Sequence, residues 1–148
     1  MAFPRPEGYH SITPGAAVPN GAEVLDFIEN VFDGKTIERY DAPDGTLAHA
    51  EVMIGDSAFQ IGTGPEDSPP FPAMLVFYVD SADKVDELYQ KALEAGATSQ
   101  AEPTDQFYGW RTATVMDMGG NGWTIFAVVE QLTPEEMNER VSALEDDS

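Results

Sequence analysis

The sequence predicts an α+β domain built from two βαβββ modules, on three observations. Residues 105–127, DQFYGWRTATVMDMGGNGWTIFA, set two strand-like runs around a Gly-rich turn. Alternation from Trp110 to Met116 marks a half-buried strand, and Gly119, Gly120, Asn121 and Gly122 supply residues that tolerate positive φ. Residues 46–62, TLAHAEVMIGDSAFQIG, read as a second hairpin, turning at Gly55 and Asp56. Finally, the halves of the chain match each other: Val18 falls on Val79, Phe27 on Leu88, Phe32 on Leu93, Gly34 on Gly96, and Phe59-Gln60-Ile61 on Trp123-Thr124-Ile125. Self-similarity with insertions confined to loops marks a repeated unit. Two such units give a curved eight-stranded mixed sheet with one face covered and one open.

Each element follows in order. Residues 1–9, with Pro4 and Pro6, form an extended arm, and residues 10–62 the first module. Residues 9–18 are a short strand candidate interrupted at Pro14 and Gly15. Asn20 is placed to cap a helix with Val24, Leu25, Ile28, Val31 and Phe32 on one face, Glu23, Asp26, Glu29 and Asp33 on the other, and Gly34 as its stop. Residues 35–41 read as a strand and 42–45 as a turn. The linker 63–72, TGPEDSPPFP, holds four prolines. In the second module, residues 73–130, an apolar strand at 74–79 precedes a helix capped by Asp80 or Ser81. Its stripe is Val85, Leu88, Tyr89, Ala92 and Leu93, and Gly96 ends it. Residues 98–102 are a weak strand. Residues 131–148 hold a terminal helix, opened by Thr133-Pro134-Glu135-Glu136 and running to about Leu144, and an acidic tail.

At 148 residues and 42% hydrophobic content the chain suits one core and one domain. A formal charge of −20, from 27 acids against 7 bases, argues against nucleic-acid phosphate and anionic membrane as partners. The acidity reads as solubility, or adaptation to a salty cytoplasm, or attraction of a cationic ligand. With no cysteine, thiol catalysis and thiolate metal sites are out. No signal-like segment and no run of ~18 apolar residues is present, so a cytoplasmic location is expected. Nothing reads as a Ser-His-Asp order, a phosphate-cradling loop or a nucleotide fingerprint.

His10-Ser11-Ile12-Thr13-Pro14, His49-Ala50-Glu51 with Ile54-Gly55-Asp56-Ser57, Asp105-Gln106-Phe107-Tyr108-Gly109 and Leu132-Thr133-Pro134-Glu135-Glu136-Met137, on paired modules, carry a family resemblance. The chain resembles the vicinal-oxygen-chelate superfamily of glyoxalase I, bleomycin-resistance proteins and extradiol dioxygenases, and is most similar to its PhnB-like branch. Where relatives carry an Asp-Pro-x-Gly turn, this chain has Asp117-Met118-Gly119-Gly120-Asn121-Gly122, and Trp110 stands where an acid is usual.

The resemblance implies a metal held at the inward ends of the first and fourth strands of each module. Those positions here are Thr13, Gln60, Met74 and Thr124. Two hydroxyls, an amide and a thioether offer no charge to offset dehydration of a divalent ion, so neither metal nor other cofactor is expected. Phe107, Tyr108, Trp110, Tyr78 and Phe126 are candidates for the wall of a ligand cavity, with Trp123 assigned to the core. His49 and Glu51, two apart on one strand, share a face and form either an acid/base pair or a structural hydrogen bond. Arg111 either forks onto a carboxylate or enolate oxygen of a ligand or pairs with an acid. The expectation is a homodimer whose arm or modules cover the partner and which binds a small organic molecule. The alternative is a lyase or isomerase, metal-assisted or using His49 and Glu51.

Overall fold

The computed structural model describes residues 1–147, so Ser148 of the expected acidic tail lies outside the described residues. In chain order the elements are β1 (Gly15–Ala17), α1 (Gly21–Phe32), β2 (Lys35–Asp41), β3 (Leu47–Ile54), β4 (Ser57–Gly62), β5 (Met74–Tyr78), α2 (Ala82–Glu94), β6 (Thr98–Asp105), β7 (Trp110–Met116), β8 (Gly122–Val128) and α3 (Pro134–Asp146). The eight expected strands are present as two four-stranded mixed sheets, ordered β1-β4-β3-β2 and β5-β8-β7-β6. The repeat extends to the ladders: β1 runs parallel to β4 as β5 does to β8, and every other pair is antiparallel. Phe71, at the end of the linker, bridges Ala17 and leads the chain from one sheet to the next.

Period-two alternation sorts the inner strands between a helix-covered face and an open one, while the edge strands β2 and β6 stay largely exposed. On β3 the buried residues are Leu47, Ala50, Val52 and Ile54; on β8 they include Trp123, Ile125 and Ala127. The apolar stripes of α1 and α2 cover these faces, with Val24, Leu25, Phe27, Ile28, Val31 and Phe32 on the first helix and Val85, Leu88, Tyr89 and Ala92 on the second. The modules share one core because Phe32 of α1 stacks on Trp123 of β8 at 4.4 Å, with Phe27 and Phe59 also against that indole. Trp123 is thus a core residue, as its alternation requires.

Some local expectations change. The strand candidate at 9–18 contracts to Gly15–Ala17, flanked by the Pro14 carbonyl and the Val18 amide, which still bond to Gln60 and Gly62 of β4. Asn20 sits at the N-cap of α1 but does not cap it; its amide donates to the carbonyl of Met118 instead. Asp33, with φ 54°, takes the left-handed position after α1 that the sequence suggested for Gly34. β6 runs to Asp105, three residues beyond the expected end, held by β7 across two register shifts. Ser81 caps α2, and Thr133 with Glu136 forms the capping box of α3.

The turn from β7 to β8 organises this assembly. Asp117, 4% exposed, accepts hydrogen bonds from the amides of Gly119 and Asn121, from the Asn121 side chain and from the Trp123 indole. Asn121 accepts in turn from the Ala73 amide, which aligns β5 beside β8. Gly119 lies against Val18 and Val24, and a Cβ there would come within 2.6 Å of the Val24 methyl. Asp117→Ala orphans several buried donors at once, at about 1–3 kcal/mol each. We expect a loss of at least ~3 kcal/mol in urea unfolding, with Asp117→Asn retaining part of it.

Candidate functional site

Each module leaves one sheet face uncovered, and the residues singled out by the sequence divide between those faces. On the second module the open face carries Met74, Val76 and Tyr78 of β5, Thr124, Phe126 and Val128 of β8, and Trp110, Thr112, Thr114 and Met116 of β7, paired in register. Tyr78, Trp110 and Phe126 meet edge to face, with centroids 5.9 Å (Tyr78 to Trp110), 5.8 Å (Tyr78 to Phe126) and 5.2 Å (Trp110 to Phe126) apart. Tyr108 extends this group to Phe107. Met74 is 84% exposed and Tyr78 60% exposed. Polar relief comes from the Thr114 and Thr124 hydroxyls, 3.0 Å apart, and from Gln106, which donates to Thr112.

The open face of the first module is polar. His49, Glu51 and Met53 of β3 face the same way, with Gln60 of β4 opposite Glu51, and with Glu38 and Tyr40 of β2 opposite Glu51 and His49. Gln60 donates to Glu51 at 3.2 Å, and His49 Nε2 lies 3.8 Å from the same carboxylate oxygen. Thr13 donates back to the His10 carbonyl just before β1. The structure therefore brings His49, Glu51 and Gln60 together.

Tyr9 is the member of this cluster that sequence reasoning missed. Gly8, with φ 88°, turns the arm so that its carbonyl accepts from the Ala58 amide, and a Cβ at Gly8 would collide with Met53. That bend delivers the Tyr9 phenol to Glu51. Burial first, then the hydrogen bond and charge of Glu51 and the charge of Glu38, raise Tyr9 above the ordinary tyrosine value of 10.0. A Gly-Tyr step after a proline arm was the available signal, but its partner lies on a strand far along the chain.

Arg111 does not belong with these groups. It alternates with Trp110 and Thr112, so it projects to the helix-covered side of β7. There it forks onto Asp86 of α2 at 2.8 and 3.2 Å and reaches Asp105 at 3.0 Å. Of the two roles open to it from sequence, the geometry supports the ion pair, and those two carboxylates hold its guanidinium pKa raised. The fork to a ligand is withdrawn, because the neighbour of an open-face residue along a strand points the other way.

Two clefts lie near the module boundary. One of about 670 Å3 runs under the linker and is lined by Val18, Leu47, Thr63, Glu66 and Pro70, away from both open faces. Another of about 480 Å3 lies between the modules, lined by His10, Ile12, Ser57, Val76 and Tyr78 among others, and so meets the edge of the aromatic face. Its size falls in the range of small-molecule sites.

Two outcomes are expected. Arg111→Ala lowers stability by about 1 kcal/mol, since both partner carboxylates are well exposed and screened, and leaves ligand affinity unchanged. Tyr9 costs nothing below its unfolded value near pH 10; above it the unfolded chain ionises first, so stability falls as pH rises through the raised folded value. Tyr9→Phe removes that alkaline loss, measured by denaturation across pH 9 to 11, and removes a late tyrosine transition in ultraviolet difference spectra.

Comparison with known proteins agrees with this architecture. The profile of the Glyoxalase/Bleomycin resistance protein/Dioxygenase superfamily matches residues 9–125. An uncharacterized protein of Mycobacterium tuberculosis strain H37Rv is 29% identical over 142 residues, 90% of this chain and 83% of that one. Among solved structures, TioX from Micromonospora sp. ML1 superposes with a TM-score of 0.66 at 21% identity, over 80% of this chain and 98% of that one. The PhnB protein from Bacillus cereus superposes with a TM-score of 0.68 at 16% identity, over 80% and 99%. With a profile match spanning both modules, the chain belongs to the Glyoxalase/Bleomycin resistance protein/Dioxygenase superfamily.

Proposed function

We propose that the protein is a cytoplasmic homodimer that binds a small organic molecule in an aromatic-lined cavity without the superfamily metal. The observation that carries the reading is the mutually packed Tyr78, Trp110 and Phe126, the first exposed and the other two half-buried, on a sheet face that no element among the described residues covers. Burying a large apolar side chain is worth roughly 1.5–3 kcal/mol, so leaving a contiguous group in water favours a surface that something else covers. A ligand stacked on the rings, with a second copy closing over Met74 and Val128, supplies that cover.

The residues at the superfamily's metal positions do not fit a divalent ion. Thr13 is engaged with the His10 carbonyl, Gln60 with Glu51 and Thr124 with Thr114, while Met74 offers only an exposed thioether. Among the described residues no three His, Asp or Glu side chains group as ligands. No step of the proposed function runs through a metal.

A second reading, a lyase or isomerase, is favoured by one observation: the approach of His49 to Glu51 on an open face. In that reading the imidazole and carboxylate exchange a proton with the substrate, and Glu51→Gln abolishes turnover while leaving binding. Native mass spectrometry of protein purified from its host separates the outcomes. The expected result is a dimer of the 16.1 kDa chain carrying a small-molecule adduct that Trp110→Ala loses. A bare monomer, or an adduct indifferent to Trp110, would refute the binding reading.

A further inference from the structure

We infer that helix α3 of a second copy docks on the open aromatic face of the second module and forms the outer wall of the cavity there. The inference rests on the dimer of the preceding reading and adds the element that joins the copies. It starts from a helix with nothing to cover. Among the described residues, α1 packs on β3 and β4 and α2 on β6, β7 and β8, whereas α3 makes at most marginal contact with any other element. None of its described residues is buried. A 13-residue helix is marginal alone in water, and helices draw most of their stability from packing an apolar face.

α3 has such a face. Met137, Val141 and Leu144 recur at i, i+4 and i+7, one stripe down the helix. Met137 is half-buried, while Val141 and Leu144 are 39% and 48% exposed. The capping box of Thr133 and Glu136 starts the helix, and Arg140 fastens it, donating to the Phe107 carbonyl and to Glu130. Upstream, the amides of Val129 and Glu130 both donate to the Gly109 carbonyl. These bonds fix the exit from β8 and hold α3 at the rim of its own aromatic face rather than over it.

Charge selects where the stripe can go. The chain carries −20, so two copies repel, and α3 itself holds five acids against Arg140. The open face of the first module presents Glu38 and Glu51 and so repels this helix. On the second module, β5, β7 and β8 contain one charged residue, Arg111, which is turned to the helix-covered side and paired with Asp86. What remains is a neutral face of Met74, Val76, Tyr78, Trp110, Phe126 and Val128 among threonines. The dimensions agree. Met137 to Leu144 spans about 10 Å along a helix axis, and two interstrand spacings, from β5 across β8 to β7, also come to about 10 Å. Because each copy has one such helix and one such face, exchange about a two-fold axis satisfies both at once.

The test uses the full chain, which has no cysteine, so single introduced thiols are unambiguous. Chains carrying Val141→Cys and, with a distinguishing tag, Val76→Cys are co-expressed and treated with a short bismaleimide. We expect a covalent heterodimer, and none when Glu139→Cys, on the opposite side of α3, takes the place of Val141→Cys. In sedimentation, Val141→Asp with Leu144→Asp should weaken dimerisation at least about tenfold, with urea unfolding of the dissociated chain unchanged. A dimer that survives this double substitution, or that yields no cross-link from α3 to Val76, overturns the inference and leaves the dimer of the broader reading intact. A cross-link inside one chain carrying both Val76→Cys and Val141→Cys also overturns it, making α3 a lid on its own face. A chain that is monomeric before any substitution overturns this inference and the broader reading together.

Discussion

Everything in this chain hangs from a buried carboxylate. Among the described residues Asp117 pairs with no base; it is held by backbone amides, the Asn121 amide and the Trp123 indole. Such a group is tolerable inside a protein only when fully hydrogen-bonded, which fixes the turn geometry. From that turn Asn121 sets β5 against β8, Met118 receives Asn20 at the start of α1, and Gly119 lets Val18 and Val24 approach. The indole carries the constraint into the core, where Phe32 of the first module stacks on it. One hairpin turn thereby ties the two modules, and the tie determines which face of each sheet is spent on the core and which is left open.

Once the covered faces are fixed, the chemistry follows from parity. Residues that alternate with core positions appear on the open faces: aromatic and aliphatic on the second module, titratable and polar on the first. The modules are alike in topology and unlike in surface. That asymmetry suits a ligand with a flat apolar body and a charged or hydrogen-bonding end, and it explains why the repeat is strongest at core positions such as Phe32 with Leu93 and absent at Glu51.

Much of the fold was legible because it rests on local patterns. Strand β7 was bounded by alternation, α3 by its capping box, and the module repeat by apolar positions that recur. Tyr78, Trp110 and Phe126 were legible as candidates for one wall, since parity on β5, β7 and β8 brings them to one face. What escaped were features set by distant partners. Asn20 looks like a cap but is claimed by Met118, 98 residues away. Tyr9 reaches Glu51 only because Gly8 bends the arm. Arg111 was grouped with Trp110 by sequence adjacency, although adjacency on a strand means opposite faces.

The central claim is that ligands meet the open faces while the helix-covered side serves stability. The chain has two tryptophans, and they report on the two sides: Trp110 on the aromatic face and Trp123 in the core. Fluorine NMR of protein labelled with 5-fluorotryptophan, recorded as small organic ligands are added, tests the claim most directly. The account predicts that the Trp110 resonance moves with saturation while the Trp123 resonance stays in place. A shift of Trp123 with Trp110 unchanged would contradict it.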